Sequence, residues 1–374
     1  MRLRLHSFRL TSGHFAACLV LLLLSVGVMG CQGLGAATPT PVPAPPETLV
    51  FYYWEDYLPQ DILDAFEQEY GIKVEYISYA TSEEAVEKIR AEAGYDVVAI
   101  ENFKIPTLIA EKKLAPIAYA NVPNFRNISA SFRDLSHDPG NQYSVPFNWG
   151  ITGIVVRTDL LEEPITRWAD LWDPRYQGRV GIWPLHRDML GMALKTLGYS
   201  VNSENPAEVE EALTYLLELR KNAFLIDLEL PHAASYLLDG EAVAVYGWAY
   251  DYQEARVGNE DVSFVIPEEG TLLWGEGLVI PAHSPNKQAA ELFIDFLLRP
   301  EISAQLVNEV SIANANEAAR PFIDPEILSD RSIFPPEEVL QNAESLLPLS
   351  PEAQALYTNA WQRFLVGAPA PEEE

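Results

Sequence analysis

Strand-like and helix-like patterns alternate without a break over residues 48–100, and nothing else in the chain limits its fold as tightly. Residues 48–54 form an apolar run that reads as a buried strand. Residues 59–70 put Ile62, Leu63 and Phe66 on one helical face and stop at Gly71. A second strand follows over 72–79. Thr81-Ser82-Glu83-Glu84 has the pattern of a capping box that opens a helix through Ala93, and a third strand spans 96–100. Strand–helix alternation at this spacing predicts an α/β fold with a parallel sheet covered by helices. In open sheets of this kind ligands sit beyond the carboxyl ends of the strands. Trp54, Asp56, Tyr57, Glu101 and Phe103 fall just past such ends, so they are candidate site residues from placement alone.

The first of these clusters has a definite chemistry. Phe51-Tyr52-Tyr53-Trp54-Glu55-Asp56-Tyr57 interleaves aromatics with carboxylates. Rings offer flat negative faces and carboxylates offer counter-charge, which together cage an organic cation. Glu55 reads as a solvated neighbour of Asp56.

Further along, residues 146–156 read as a loop entering a strand, a candidate crossing between two lobes. Residues 165–188 carry Trp168, Trp172, Trp183, Pro174 and Pro184 and read as loop-rich. These tryptophans, with Trp149, are expected to serve packing or a hinge. Residues 188–197 and 206–222 read as amphipathic helices, and 242–248 and 262–267 as strands. Residues 270–281 cross back, residues 284–310 are helical with a break near Pro300, and the remainder to about Phe364 reads as mostly helical.

The amino terminus carries Arg2, Arg4 and Arg9, then an apolar core over roughly residues 15–29, then Val28-Met29-Gly30-Cys31. That is the layout of an export signal, and its core is shorter than the ~20 residues of a spanning helix. Gly30-Cys31 resembles the lipobox of bacterial lipoproteins, in which the cysteine is diacylated and becomes the new amino terminus. The alternative is a plain cleaved signal with an incidental cysteine. The proline-dense stretch from Thr38 to Pro46 favours the anchor, because it holds an extended tether that lifts a body off a membrane.

Cys18 falls in the signal and Cys31 at the expected lipid site, and these are the chain's 2 cysteines. The exported body therefore has no disulfide and rests on its core. The chain has 25 basic and 54 acidic residues; losing the first 30 removes three arginines and no acid, leaving 22 against 54 and a formal charge of −32. Such acidity disfavours nucleic acid and anionic membrane surfaces and draws in cations.

No phosphate-binding glycine loop, Gly-x-Ser-x-Gly elbow or His-Glu-x-x-His occurs. His137, His186, His232 and His283 show no ligand spacing, so neither a metal nor a cofactor is expected. Carboxylates are abundant enough for a glycosidase-like pair, although nothing marks one pair out.

The pattern Phe-Tyr-x-Trp-x-x-Tyr-x-Pro over residues 51–59 resembles the start of the periplasmic spermidine/putrescine-binding proteins of ABC transporters. The likeness continues through Tyr95-Asp96-Val97-Val98, residues 143–150, residues 168–174, Met192-Ala193-Leu194 and Leu197-Gly198-Tyr199-Ser200. It reappears at 274–281, at Phe296-Leu297-Leu298-Arg299-Pro300 and at Ala318-Ala319-Arg320. The resemblance implies a type II periplasmic-binding-protein-like fold, with two α/β lobes joined by crossing strands and the solute in the cleft. With the signal over 1–30, the tether over 31–47 and a Pro-rich, disordered tail over 367–374 read from the residues themselves, the expected lobes are 48–150 with 276–312 and 151–275 with 313–366.

By the same resemblance Trp54, Tyr57, Trp248 and Trp274 match aromatics that stack along a polyamine chain. Glu276 stands where the family places an aspartate on a ligand amine, and Asp188 matches a family glutamate. Glu101 and Phe103 lie where spermidine binders have a serine and a tyrosine, Leu185 where they have an aspartate, and Ile312 near a tyrosine. Placement past the strand ends and the resemblance together give the expected ligand set Trp54, Asp56, Tyr57, Glu101, Phe103, Asp188, Trp248, Trp274 and Glu276. The implied function is a monomeric, non-enzymatic receptor of an ABC importer, anchored through Cys31, that passes a putrescine- or spermidine-class solute to a membrane permease without cofactor or nucleic acid. The rivals are another organic cation, an amino acid or other small solute on the same fold, or an anchored hydrolase.

Overall fold

The computed structural model describes residues 46–228 and 233–367. The expected signal, Cys31, nearly all of the tether, His232 and the tail beyond Gly367 lie outside these residues. Among the described residues no helix is long and apolar enough to cross a membrane.

The opening alternation folds as its pattern requires. β1 (Thr48–Trp54) pairs in parallel with β2 (Lys73–Tyr79) along its whole length, from Thr48 opposite Lys73 to Trp54 opposite Tyr79. On its other side β1 pairs in parallel with β3 (Val97–Glu101). Between them, α1 (Gln60–Tyr70) buries Ile62, Leu63 and Phe66 and ends at Gly71, whose φ of 68° lies in the left-handed region that glycine adopts without strain.

α2 (Ser82–Arg90) starts on Thr81, whose hydroxyl accepts from the Glu84 N–H at 3.2 Å. The reciprocal half of the expected capping box does not form. The Glu84 carboxylate accepts instead from the Ala80 N–H and the Tyr52 hydroxyl, at 3.2 and 3.0 Å. α2 also stops at Arg90 rather than at Ala93, because Glu92 turns to a φ of 57°. α3 (Ile105–Ala110) follows β3 after a single helical turn at Asn102–Lys104.

The first sheet is mixed rather than parallel. β4 (Ser144–Ile151) joins it and, much later in the chain, the strand Leu272–Val279 enters antiparallel to both β3 and β4. Those are the two crossing segments, and strands that shuttle between lobes return in the opposite direction. The second sheet is built from β5 (Gly153–Arg157), β6 (Val180–Ile182), β7 (Ala223–Leu225), β8 (Ala244–Gly247) and β9 (Val262–Val265), in the order β7-β6-β8-β5-β9. The return strand, β10 (Leu272–Val279), sits between β4 and β3.

Each sheet has its own core. The first gathers Phe51, Phe66, Phe293 and Phe296, the last two from the helix Lys287–Leu297. The second gathers Trp168, Met189, Leu213, Tyr246 and Tyr357. The helices of the second lobe are α4 (His186–Thr196), α5 (Pro206–Leu219), α6 (Ala233–Leu238) and α7 (Ala249–Gly258). The first lobe is completed by α8 (Lys287–Leu297), α9 (Pro300–Val310), separated at Arg299-Pro300 as expected, and β11 (Ala313–Asn314), which pairs with β4.

The two crossings lie side by side. Thr152 is the single residue between β4 and β5, and its hydroxyl meets that of Thr271, which precedes β10, at 3.0 Å, both fully buried. A Cβ on neighbouring Gly153 would lie 2.4 Å from Cζ of Phe264, so only glycine fits this corner.

Residues 323–350 are not mostly helical. Pro325, Pro335, Pro336 and Pro348 interrupt them, leaving short turns and β12 (Glu344–Ser345), which pairs in parallel with β10. The last helix, α10 (Pro351–Val366), packs Tyr357, Ala360, Trp361 and Phe364 onto the second core.

Candidate ligand-binding cleft

A cavity of ≈ 840 Å³ opens where the carboxyl ends of β1, β3 and β8 meet the amino end of α4. Its walls include all nine residues picked out from the sequence: Trp54, Asp56, Tyr57, Glu101, Phe103, Asp188, Trp248, Trp274 and Glu276. They come from five separate stretches of chain, and the fold brings them to one place. Leu185 is in the wall as well.

Glu276 is the centre of one wall. It lies on β10 opposite Glu101 of β3, at a point where β10 bulges against β4, and is only 3 % exposed. Each carboxylate oxygen has its own donor. Tyr53 gives its hydroxyl to Oε2 and Trp54 its Nε1–H to Oε1, both at 2.5 Å. Tyr53 in turn accepts from Asn148 Nδ2 at 2.9 Å. Adjacent strand residues normally face opposite ways, yet here both reach one carboxylate at the strand end. The arrangement fixes Glu276 and the Trp54 indole together, with lone pairs on both oxygens still open to a cation. Burial raises the Glu276 carboxyl to about 7, while the bonds from Tyr53 and Trp54 pull it the other way.

Aromatics surround this carboxylate. Trp54 leans on Tyr79 with ring centres 4.5 Å apart. Tyr57 packs edge-on to Tyr53 at 5.7 Å and, across the cleft, against Tyr250 of α7 at 5.5 Å. Trp274 lies flat over Gly150, where a Cβ would come within 2.7 Å of its Cζ2. The Trp274 indole N–H is buried without a hydrogen-bond partner. Asp56 is exposed and turns the chain at a φ of 59°, a conformation aspartate tolerates better than most residues.

The opposite wall belongs to the second lobe. Trp248 follows β8, with Trp183 and Tyr246 each 5.7 Å away. Its backbone N–H donates to Asp251 Oδ2 at 2.8 Å, which caps α7. Asp251 also lines the cavity and is buried, and burial raises its carboxyl to about 7. Sequence reasoning missed it. The available signal was a carboxylate in the first turn after a strand-ending tryptophan. Asp188 sits in the first turn of α4 and accepts from the Tyr246 hydroxyl at 3.1 Å; burial raises it to about 6.

The end of the cleft near Phe103 is the most charged. Glu101 is raised to about 8, first by burial and then by Asp188. The Phe103 ring already carries two of the protein's own cations, with Lys104 Nζ at 4.7 Å and the Arg187 guanidinium at 5.6 Å from its centre. Arg187 is buried, stacks also on Tyr357 at 5.1 Å, and has an unpartnered Nε. Neither Arg187 nor Tyr53 was singled out from the sequence, since a lone arginine and a strand tyrosine read as ordinary core-edge residues. The tryptophans assigned to packing divide. Trp168 and Trp172 stack on Tyr246 and Tyr215, whereas Trp149 and Trp183 reach the cavity wall.

Comparison with known proteins agrees with this architecture. Residues 61–335 match the family model of the bacterial extracellular solute-binding proteins. The chain is 32% identical over 323 residues to the spermidine/putrescine-binding periplasmic protein of Escherichia coli (strain K12), covering 86% of this chain and 92% of that one. Among solved structures it is similar to the spermidine/putrescine ABC transporter substrate-binding protein PotD of Streptococcus pneumoniae. There the identity is 28%, the TM-score 0.75, and the coverage 86% of this chain and 99% of the other. It is likewise similar to the TpPotD lipoprotein of Treponema pallidum, at 25% identity and a TM-score of 0.76 over 85% of this chain and 99% of the other. The two-lobed fold and these matches place the chain in the family of bacterial extracellular solute-binding proteins.

Proposed function

We propose that the protein is the exported receptor of an ABC importer and that its cleft captures a polyamine of the putrescine or spermidine class. One observation carries the reading. Glu276, buried and held by Tyr53 and Trp54, faces a cavity that also presents Tyr57, Trp248 and Trp274. An ammonium group binds the carboxylate and the methylene chain lies along the rings. Each desolvated ring–cation contact supplies ~0.5–2 kcal/mol and each charged hydrogen bond ~1.5–3 kcal/mol. Two carboxylates and three rings, less the cost of association, reach the ~8 kcal/mol of a micromolar complex.

A solute touching both lobes favours the closed state, with Thr152 and Thr271 as the hinge. The closed form, a monomer anchored through Cys31, then docks on a permease, and no chemistry is done on the solute. The names of the E. coli and S. pneumoniae relatives support the solute class, and that of the T. pallidum relative supports the anchor. A second reading, a zwitterion such as an amino acid, draws on the buried Arg187 and its unpartnered Nε, which offer a partner for a carboxylate.

A thermal-shift screen with putrescine, spermidine, amino acids and sugars tests both. A ligand at 100 times its dissociation constant adds ~2.7 kcal/mol to the bound form. Stabilisation by polyamines alone supports the proposal, and stabilisation by amino acids alone replaces it with the second reading. No response to any polyamine overturns it.

A further inference from the structure

Each lobe carries half of a contact that needs no solute. Arg187 stands in the first turn of α4 in the second lobe and is 3 % exposed. Its own lobe fixes it. It donates to the Leu347 carbonyl and to Asn202 Oδ1, both at 3.1 Å, and the Tyr357 ring centre lies 5.1 Å from the guanidinium. Asn202 also ties down the segment that supplies Leu347, accepting from the Leu347 N–H at 2.7 Å and donating to the Ser345 carbonyl at 2.9 Å. The first lobe fixes Phe103 in the same way. Phe103 sits in the turn Asn102–Lys104 directly after β3, and Lys104 ties that turn to Glu83 of α2 at 2.5 Å. Across the lobes, the Arg187 guanidinium meets the Phe103 ring at 5.6 Å. Both hydrogen bonds of Arg187 stay on the second-lobe side and its Nε has none, so the ring carries the link. The ring is also taken. Lys104 Nζ lies 4.7 Å from its centre, so a ligand ammonium brought to Phe103 meets two positive charges already there.

We infer that Phe103 is not a seat for the solute but the first-lobe half of a latch, and that Arg187 is a positioning residue that closes the empty cleft and scales the affinity for every solute alike. This goes beyond the solute class and needs no polyamine. Both partners are held in place before they meet, so closing costs little side-chain freedom. A contact between two lobes is lost when they swing apart, so it favours the closed form by its own strength. For a ring–cation contact that is about 2- to 30-fold in the closed-to-open ratio. A solute that binds the closed form then gains one common factor, no larger than that shift, whatever its length or charge.

Two measurements test it. Energy transfer between dyes on non-natural residues replacing Glu67 and Glu218, exposed in α1 of the first lobe and α5 of the second, reads closure of the purified protein. Without solute, Phe103→Leu is expected to lower the closed-to-open ratio about 2- to 30-fold, and Phe103→Tyr, which keeps a ring, to stay within about twofold of wild type. Arg187→Met should open the protein as Phe103→Leu does, and the double variant no further. An unchanged ratio in Phe103→Leu, or opening that adds in the double variant, overturns the latch. If Arg187→Met fails to fold, the leucine and tyrosine variants decide alone. Calorimetry with putrescine and spermidine then separates a latch from a ligand contact. Phe103→Leu is expected to weaken both by one factor, equal within about threefold. Selective loss of one returns Phe103 to the solute site and overturns the inference. Failure of wild type to bind either polyamine overturns the polyamine reading, and the energy-transfer arm still decides the latch.

Discussion

Glu276→Gln exchanges a buried carboxylate for an amide of the same shape, and the structure gives opposite expectations for stability and for binding. Burial lifts the Glu276 carboxyl from 4.5 to about 7. A rise of that size corresponds to about 3 kcal/mol. The sign follows from linkage. A carboxyl raised in the folded state contributes stability below its unfolded value and loses it as pH rises through the folded value. Wild type should therefore lose about 3 kcal/mol from this residue between pH 4.5 and 8, and the glutamine variant should not.

The amide has one acceptor for two donors, so either Tyr53 or Trp54 faces its NH2 group. The protonated acid of wild type at low pH has the same deficit, so that loss cancels in the comparison. Urea unfolding at pH 4.5 and pH 8 should show the variant gaining about 3 kcal/mol on wild type between the two. Putrescine affinity at pH 8 should fall ~10- to 150-fold, the equivalent of one charged hydrogen bond of ~1.5–3 kcal/mol. A variant that keeps the same offset from wild type at both pH values would refute the view of Glu276 as a strained, buried charge.

Gly150→Ala places a Cβ 2.7 Å from Trp274 Cζ2; displacing the indole should cost ~1–3 kcal/mol of stability and weaken the ligand about tenfold, measured by unfolding and calorimetry together. Trp248→Ala removes a half-buried ring at the end of β8 and should weaken polyamine by ~0.5–2 kcal/mol or more while far-ultraviolet dichroism stays native. Because Glu101, Asp188, Asp251 and Glu276 all titrate above the ordinary carboxylate range, ligand stabilisation should be larger at pH 8 than at pH 5. A thermal shift that shrinks as pH rises would contradict that sign.

Much of this was legible in the chain because local pattern and fold agree. Gly71 stops a helix whose buried face is Ile62, Leu63 and Phe66, and the strand ends carry Trp54, Glu101 and Trp248 to one cavity. The antiparallel entry of β10 between β3 and β4 was not legible, since buried strands of either direction share one apolar pattern. Nor was the irregular course of residues 323–350, where the prolines outweigh a helical composition. Tyr53 escaped notice because its partner Glu276 is 223 positions away. Asp251 escaped because a capping carboxylate and a site carboxylate look alike in sequence. The cations on Phe103 escaped because they arrive from both lobes.

Direct calorimetric titration of the purified protein at pH 8 with putrescine and with spermidine tests the central claim. The cleft described above requires saturable binding of one polyamine per chain at micromolar or lower Kd, with affinity reduced in Glu276→Gln. Absence of saturable binding with either polyamine, alongside saturation by an uncharged or anionic solute, would contradict it.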